Sequence, residues 1–217
     1  MSGHSAPDEL LLDWATGALA PGLALAVALH VALEPVARRT AERLGDVAGA
    51  LLEREAAADL DEDALDRTLA RLGSVGIEPR PAPTPVRPGF EWAPPFLRPH
   101  LDLARDWRRV FGGFEEIRLA LPHDRHRVSL LRLTPGRGLP MHRHVGAEFT
   151  VVLQGGYSDA TGSYRVGDFA VGPGPEPHEP IADPGPPCIA LIVLEEPIVL
   201  TGPWGRWLNP LVRRGLI

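Results

Sequence analysis

The chain reads as an α+β multi-domain protein, with an N-terminal four-helix module followed by a C-terminal β sandwich or barrel. Three observations point there. Residues 1–72 are rich in Ala and Leu at helical spacing. A run of prolines then interrupts any regular element. From about Leu101 short apolar runs alternate with Gly, Pro and Asp, which is the pattern of many short strands joined by tight turns. The expected boundaries are 1–72 for the helical domain, 73–98 for a Pro-rich linker and 99–217 for the β domain.

The first helix should start at Pro7, with Asp8 and Glu9 placed at the positive end of the helix dipole. Leu10, Leu11, Trp14 and Leu19 form its apolar stripe, and Gly17 loosens or ends it. A second helix is expected from Pro21 to Ala41, kinked or broken at Pro35. Between Leu23 and Leu33 it is apolar nearly all round, so it must be buried or meet a partner. A third helix fits 46–57 and a fourth 61–72, the latter with acids first and Arg67 and Arg71 late. The linker prolines Pro79, Pro81, Pro83, Pro85, Pro88, Pro94 and Pro95 should keep that stretch extended and semi-rigid. Strands are expected at 128–134, 149–153, 169–171, 188–194 and 198–201, with turns at Gly155-Gly156 and from Asp159 to Gly162.

Composition narrows the function. At 217 residues and a net charge of −6, a sequence-general nucleic-acid binder is disfavoured. The charge is uneven: residues 1–72 carry 13 acids against 6 arginines, a face that is either simply solvated or suited to a basic partner. Cys188, the only cysteine, rules out an internal disulfide and a Cys-rich zinc module. No basic region precedes an apolar stretch at the N-terminus. The longest apolar run, 23–33, contains His30 and is too short to span a bilayer. A cytoplasmic protein without membrane or direct nucleic-acid contacts is expected.

The most informative stretch runs from Gly136 through His142, His144 and Glu148 to Gly155, followed by Gly167, Pro173 and His178. In a strand, residues i and i+2 share a face, so His142 and His144 can reach one point. Glu148 returns to that face after a bend, and His178 must arrive from a separate strand. Nitrogen and oxygen donors without thiolate suit one divalent metal: zinc, iron, manganese, nickel or copper. His100, His123 and His126 lack such context and read as loop or surface residues. Cys188 reads as a small buried strand residue, with an oxidation sensor as the alternative. The Trp204, Arg206, Trp207, Arg213 and Arg214 segment can cover the barrel mouth or meet the helical domain.

These two motifs resemble the signature motifs of the cupin superfamily, with Pro175 standing where a glycine is usual. The resemblance implies a double-stranded β-helix (cupin jelly roll) with the metal inside, held by His142, His144, Glu148 and His178, zinc first, with iron, manganese or nickel as alternatives. The order of domains, the segment from Asp8 to His30 and the stretch EFTVVLQG (148–155) together resemble the ChrR-type anti-sigma factors. That resemblance implies a regulator of transcription. Its helical domain would bind an extracytoplasmic-function sigma factor, and its cupin domain would take part in the oxidative stress response, for instance to singlet oxygen. Barrels of this kind also pair into homodimers. The family's helical domain holds a zinc with His-x3-Cys-x2-Cys and an upstream His. Here Glu34 and Ala37 stand at the cysteine positions beside His30, and His4 lies near the upstream one. A helical domain that folds without a second zinc is therefore expected, with a His4–His30–Glu34 site as the alternative. The competing function is a metal-dependent cupin enzyme, a dioxygenase or hydrolase, with a fused helical domain.

Overall fold

The computed structural model describes residues 4–74, 86–102, 104, 106–110, 114–172, 174–202 and 205–213. Pro79 to Pro85 of the expected linker, Pro173, Trp204 and Arg214 lie outside these. Four helices precede the proline-rich stretch: α1 (Asp8–Ala15), α2 (Pro21–Leu33), α3 (Pro35–Leu52) and α4 (Ala64–Ser74). After it come α5 (Arg98–Asp102) and a set of antiparallel strands. These are β1 (Arg108–Arg109), β2 (Glu115–Leu119), β3 (Arg127–Leu133), β4 (His142–Arg143), β5 (Glu148–Gln154) and β6 (Gly156–Asp159). They continue with β7 (Gly162–Arg165), β8 (Phe169–Val171), β9 (Ile181–Ala182), β10 (Cys188–Leu194) and β11 (Val199–Leu200). A 3-10 turn (Gly205–Leu208) and α6 (Asn209–Arg213) close the described chain.

Of the two outcomes expected at Pro35, the break is the one observed. Pro35 does not kink a long helix; it starts a new one. Glu34 leaves helical geometry, its carboxylate accepts from the Ala37 backbone N–H at 2.7 Å, and Pro35 occupies the first turn. The axes of α2 and α3 meet at a bend of 113°. The expected break before Asp46 is absent, and α3 runs through Gly45 without interruption. No single helix among the described residues is long and apolar enough to cross a bilayer.

The sheets explain why the strands read as continuous apolar runs rather than alternating ones. Six strands pair in the order β1-β2-β3-β10-β5-β8, all antiparallel. One face of this sheet carries Ile117, Leu119, Val128, Leu130, Val151, Leu191 and Val193, which pack in one core with Leu25, Ala26, Val27 and Leu29 of α2. The other face carries Glu116, Ser129, Leu131, Thr150, Ile192 and Leu194, which line an internal cavity. Two smaller sheets, β7-β6-β9 and β11-β4, supply the opposite wall through Tyr157, His142 and Leu200. A sheet buried on both faces loses its polar alternation.

The apolar segment from Leu23 to Leu33 therefore meets the chain's own barrel. Asp124 reaches across to accept the Gly22 backbone N–H at the start of α2, while His126 donates to the same carboxylate at 2.7 Å. His126 thus lies in a loop, as expected, but with its side chain in a buried pair with the Asp124 carboxylate that caps a helix. Part of the expected linker joins the core. From Phe90 onward it packs, with Phe90, Ala93 and Leu97 buried in the shared core. By contrast every described side chain from Leu65 to Leu72 on α4 is exposed.

Strand β2 escaped the sequence pattern because a carboxylate stands at a buried position. Burial would raise the Glu116 carboxyl, but Arg127, Arg108 and the Ser129 hydroxyl overcome that and hold it down at about 2. A depressed carboxyl stabilises the fold above its unfolded value and loses that contribution as pH falls through its folded value. The Glu116 contribution, read by chemical denaturation as the difference between the unaltered chain and Glu116→Gln, should be intact above about pH 4.5 and decline toward pH 2, by at most about 3 kcal/mol. Glu116→Gln should flatten that window while lowering stability at neutral pH.

Candidate metal centre

Short extended segments bring the three predicted histidines together. His142 and His178 face each other across an antiparallel bridge, exchanging backbone hydrogen bonds of 3.1 and 2.8 Å. His144 follows two residues on, anchored by its N–H on the Gly174 carbonyl at 3.3 Å. All three side chains are buried, and one nitrogen of each lies within 4.8 Å of the others. The His178 Nε2 stands 2.9 Å from His144 Nε2 and 3.1 Å from His142 Nε2. Two nitrogens on one tetrahedral ion with bonds of ~2.1 Å are about 3.4 Å apart, so these nitrogens stand within about half an ångström of the spacing a shared ion requires.

The hydrogen bonds around the cluster fix which atoms carry protons. His142 Nδ1–H donates to the Pro140 carbonyl at 2.8 Å, and His178 Nδ1–H donates to Asp159 at 3.0 Å. A carbonyl or carboxylate can only accept, so each ring spends its proton outward and turns a bare Nε2 inward. Facing lone pairs at this distance repel unless a cation lies between them. Burial, followed by the neighbouring imidazoles, pushes His144 down to about 3; burial pushes His142 down to about 4. Both rings are therefore neutral near pH 7, the form that binds metal.

Glu148 borders this group rather than joining it. Its Oε2 lies 3.1 Å from His144 Nδ1, yet that buried nitrogen has no hydrogen-bond partner. Its Oε1 accepts from Thr150 at 3.0 Å. Burial raises the carboxyl to about 7, and a divalent cation alongside would restore its ionised form. The inward lone pairs of His142 and His178 and the adjacent Glu148 carboxylate fit a divalent metal.

The remaining candidates sit elsewhere. His30 is fully buried, but both its nitrogens are taken by the protein. Nδ1–H donates to the Gly167 carbonyl at 2.6 Å, and Nε2 accepts from the Ala6 N–H at 3.1 Å. His4 packs its ring on Tyr164 and Glu34 caps α3, so the His4–His30–Glu34 alternative is not assembled. His30 is a core histidine joining α2 to the glycine that opens the second motif. Cys188 is buried with its thiol pushed up to about 12 by burial, which opposes the reactive thiolate form. Sequence reasoning missed Asp159 and Pro140, which orient the rings; no spacing rule marked them. Toward the C-terminus, Val212 of α6 is buried and lines the cavity, while Trp207 is exposed.

A family model described as the ChrR cupin-like domain matches residues 102–196. The anti-sigma-E factor ChrR of Cereibacter sphaeroides is 30% identical over 214 residues, covering 97% of this chain and 98% of that protein. The chain belongs to the ChrR family of anti-sigma factors. A crystal structure of Rhodobacter sphaeroides SigE in complex with the anti-sigma ChrR superposes with a TM-score of 0.70 and 30% identity, covering 88% of this chain and 98% of that one. The ChrR family likeness thus extends across the helices as well as the barrel, beyond the residues that the cupin-like model matches.

Proposed function

We propose that the chain is a metal-binding anti-sigma factor that sequesters an extracytoplasmic-function sigma factor in the cytoplasm and responds to oxidants such as singlet oxygen. The observation that carries this is the full-length likeness to ChrR, in sequence and to its structure with SigE. In this reading residues 1–72 form the four-helix anti-sigma domain, 73–98 connect, and 99–217 fold as a double-stranded β-helix. The sigma-binding surface is the outer part of the helices, because the apolar face of α2 is spent on the sheet. Val47, Leu51 and Leu52 of α3 and Leu65, Leu69 and Leu72 of α4 stand exposed, an apolar area that a partner helix can cover.

The metal would be held by His142, His144 and His178, with Glu148 as a fourth ligand, and zinc is the first choice for three imidazoles and a carboxylate. When bound it would supply Lewis acidity and a cross-link. The chain's own groups do the positioning: the Pro140 carbonyl and the Asp159 carboxylate fix two rings, and Thr150 steadies Glu148.

Co-expression with an extracytoplasmic-function sigma factor from the same organism should give a stable complex on size exclusion. Leu65→Asp combined with Leu69→Asp should weaken that complex roughly a hundredfold, the range seen when buried apolar anchors are lost. Absence of any complex, with or without zinc, would overturn the proposal for this chain.

A further inference from the structure

The cavity beside the histidines is a space that the fold leaves open. It measures about 120 Å³, and its walls are mostly apolar. Close-packed interiors avoid voids of this size, and an apolar cavity of about 150 Å³ stays dry and takes up benzene. His142, Glu148 and His178 open onto it at one side, while Leu131, Ile192 and Leu194 form walls from the main sheet. Of the other polar groups on the wall, Arg127 and Ser129 donate to Glu116, Thr150 donates to Glu148, and the Tyr157 phenol stands near enough to Glu148 to feel its charge. A guest would therefore find one place for a polar head, at the histidine cluster, and hydrocarbon elsewhere.

We infer that the barrel is a receptor for a small apolar molecule with a single metal-binding head, of the short-chain monocarboxylate class. The head would join His142, His144, His178 and Glu148 as a further ligand to the ion, and a tail of about four carbons would fill the cavity. Its size follows from a volume slightly below that of a benzene-holding site. Val212 and Leu200 close one wall, and Asn209 ties the C-terminal segment down by accepting from the Leu200 N–H at 2.8 Å and donating to its carbonyl at 3.1 Å. The inference rests on the metal reading above.

The test uses the full chain loaded with cobalt(II), whose visible spectrum reports a new ligand on the metal. Pentanoate should produce a saturable spectral change, and acetate, with the same head and no tail, should bind several tens of fold more weakly, since each buried methylene contributes roughly fourfold. Leu131→Phe, and separately Ile192→Phe, should retain one metal per chain and weaken pentanoate at least tenfold by filling the cavity. Equal binding of pentanoate and acetate, or indifference to both substitutions in metal-loaded protein, would overturn the receptor and leave the metal site standing. A chain that binds no cobalt would overturn both, and the metal content separates the two cases.

Discussion

Removing the metal should cost this protein more stability than any single apolar truncation at its surface. An ion that binds only the folded state stabilises it by about 4 kcal/mol when free metal exceeds the dissociation constant a thousandfold. For a chain of this length that corresponds to roughly 8–16 °C in melting temperature. Calorimetry of the zinc-loaded protein should therefore show a drop of this order on adding chelator. His178→Ala should melt at the chelated temperature and ignore zinc, because it removes the ring that stands within 3.1 Å of both others. Asp159→Asn should keep the fold and weaken metal binding roughly ten- to a hundredfold, since Asp159 holds the His178 tautomer from outside. A zinc-independent melting temperature in the unaltered chain would contradict this.

The second large effect should come from His30→Ala, far from the metal. The substitution leaves the Gly167 carbonyl and the Ala6 N–H buried without partners, and opens a cavity where the ring packs on Phe169. Unsatisfied polar groups and lost packing together should cost about 3 to 5 kcal/mol. Denaturant titration reads this directly, and the loss should be the same with zinc or chelator present. A cost below about 1 kcal/mol would mean that the helices do not depend on this contact with the barrel. At the α2–α3 corner, where the family resemblance places zinc-binding cysteines, this chain uses a carboxylate cap from Glu34 onto a buried Ala37.

Much of this was legible in the sequence, for physical reasons. The histidine spacing survives into the structure because extended backbone returns i and i+2 to one face, and because a bridge must place His178 opposite His142. Residues 8–15 and 21–33 followed apolar stripes and proline starts. What stayed hidden depends on long-range contacts. Glu116 disguised β2, since a buried carboxylate becomes tolerable only when arginines from other strands arrive. The apolar runs of β3, β5 and β10 announced strands but not which surface covers their second face. That surface is α2, and its burial there turned two expected domains into neighbours sharing one core.

The most direct test of the account is X-ray absorption spectroscopy on protein purified from metal-supplemented cells, paired with elemental analysis. One divalent ion per chain is expected, zinc first, with three imidazoles in its coordination shell, all lost in His142→Ala. Folded protein that carries no stoichiometric metal, or an ion whose shell lacks histidine, would contradict it.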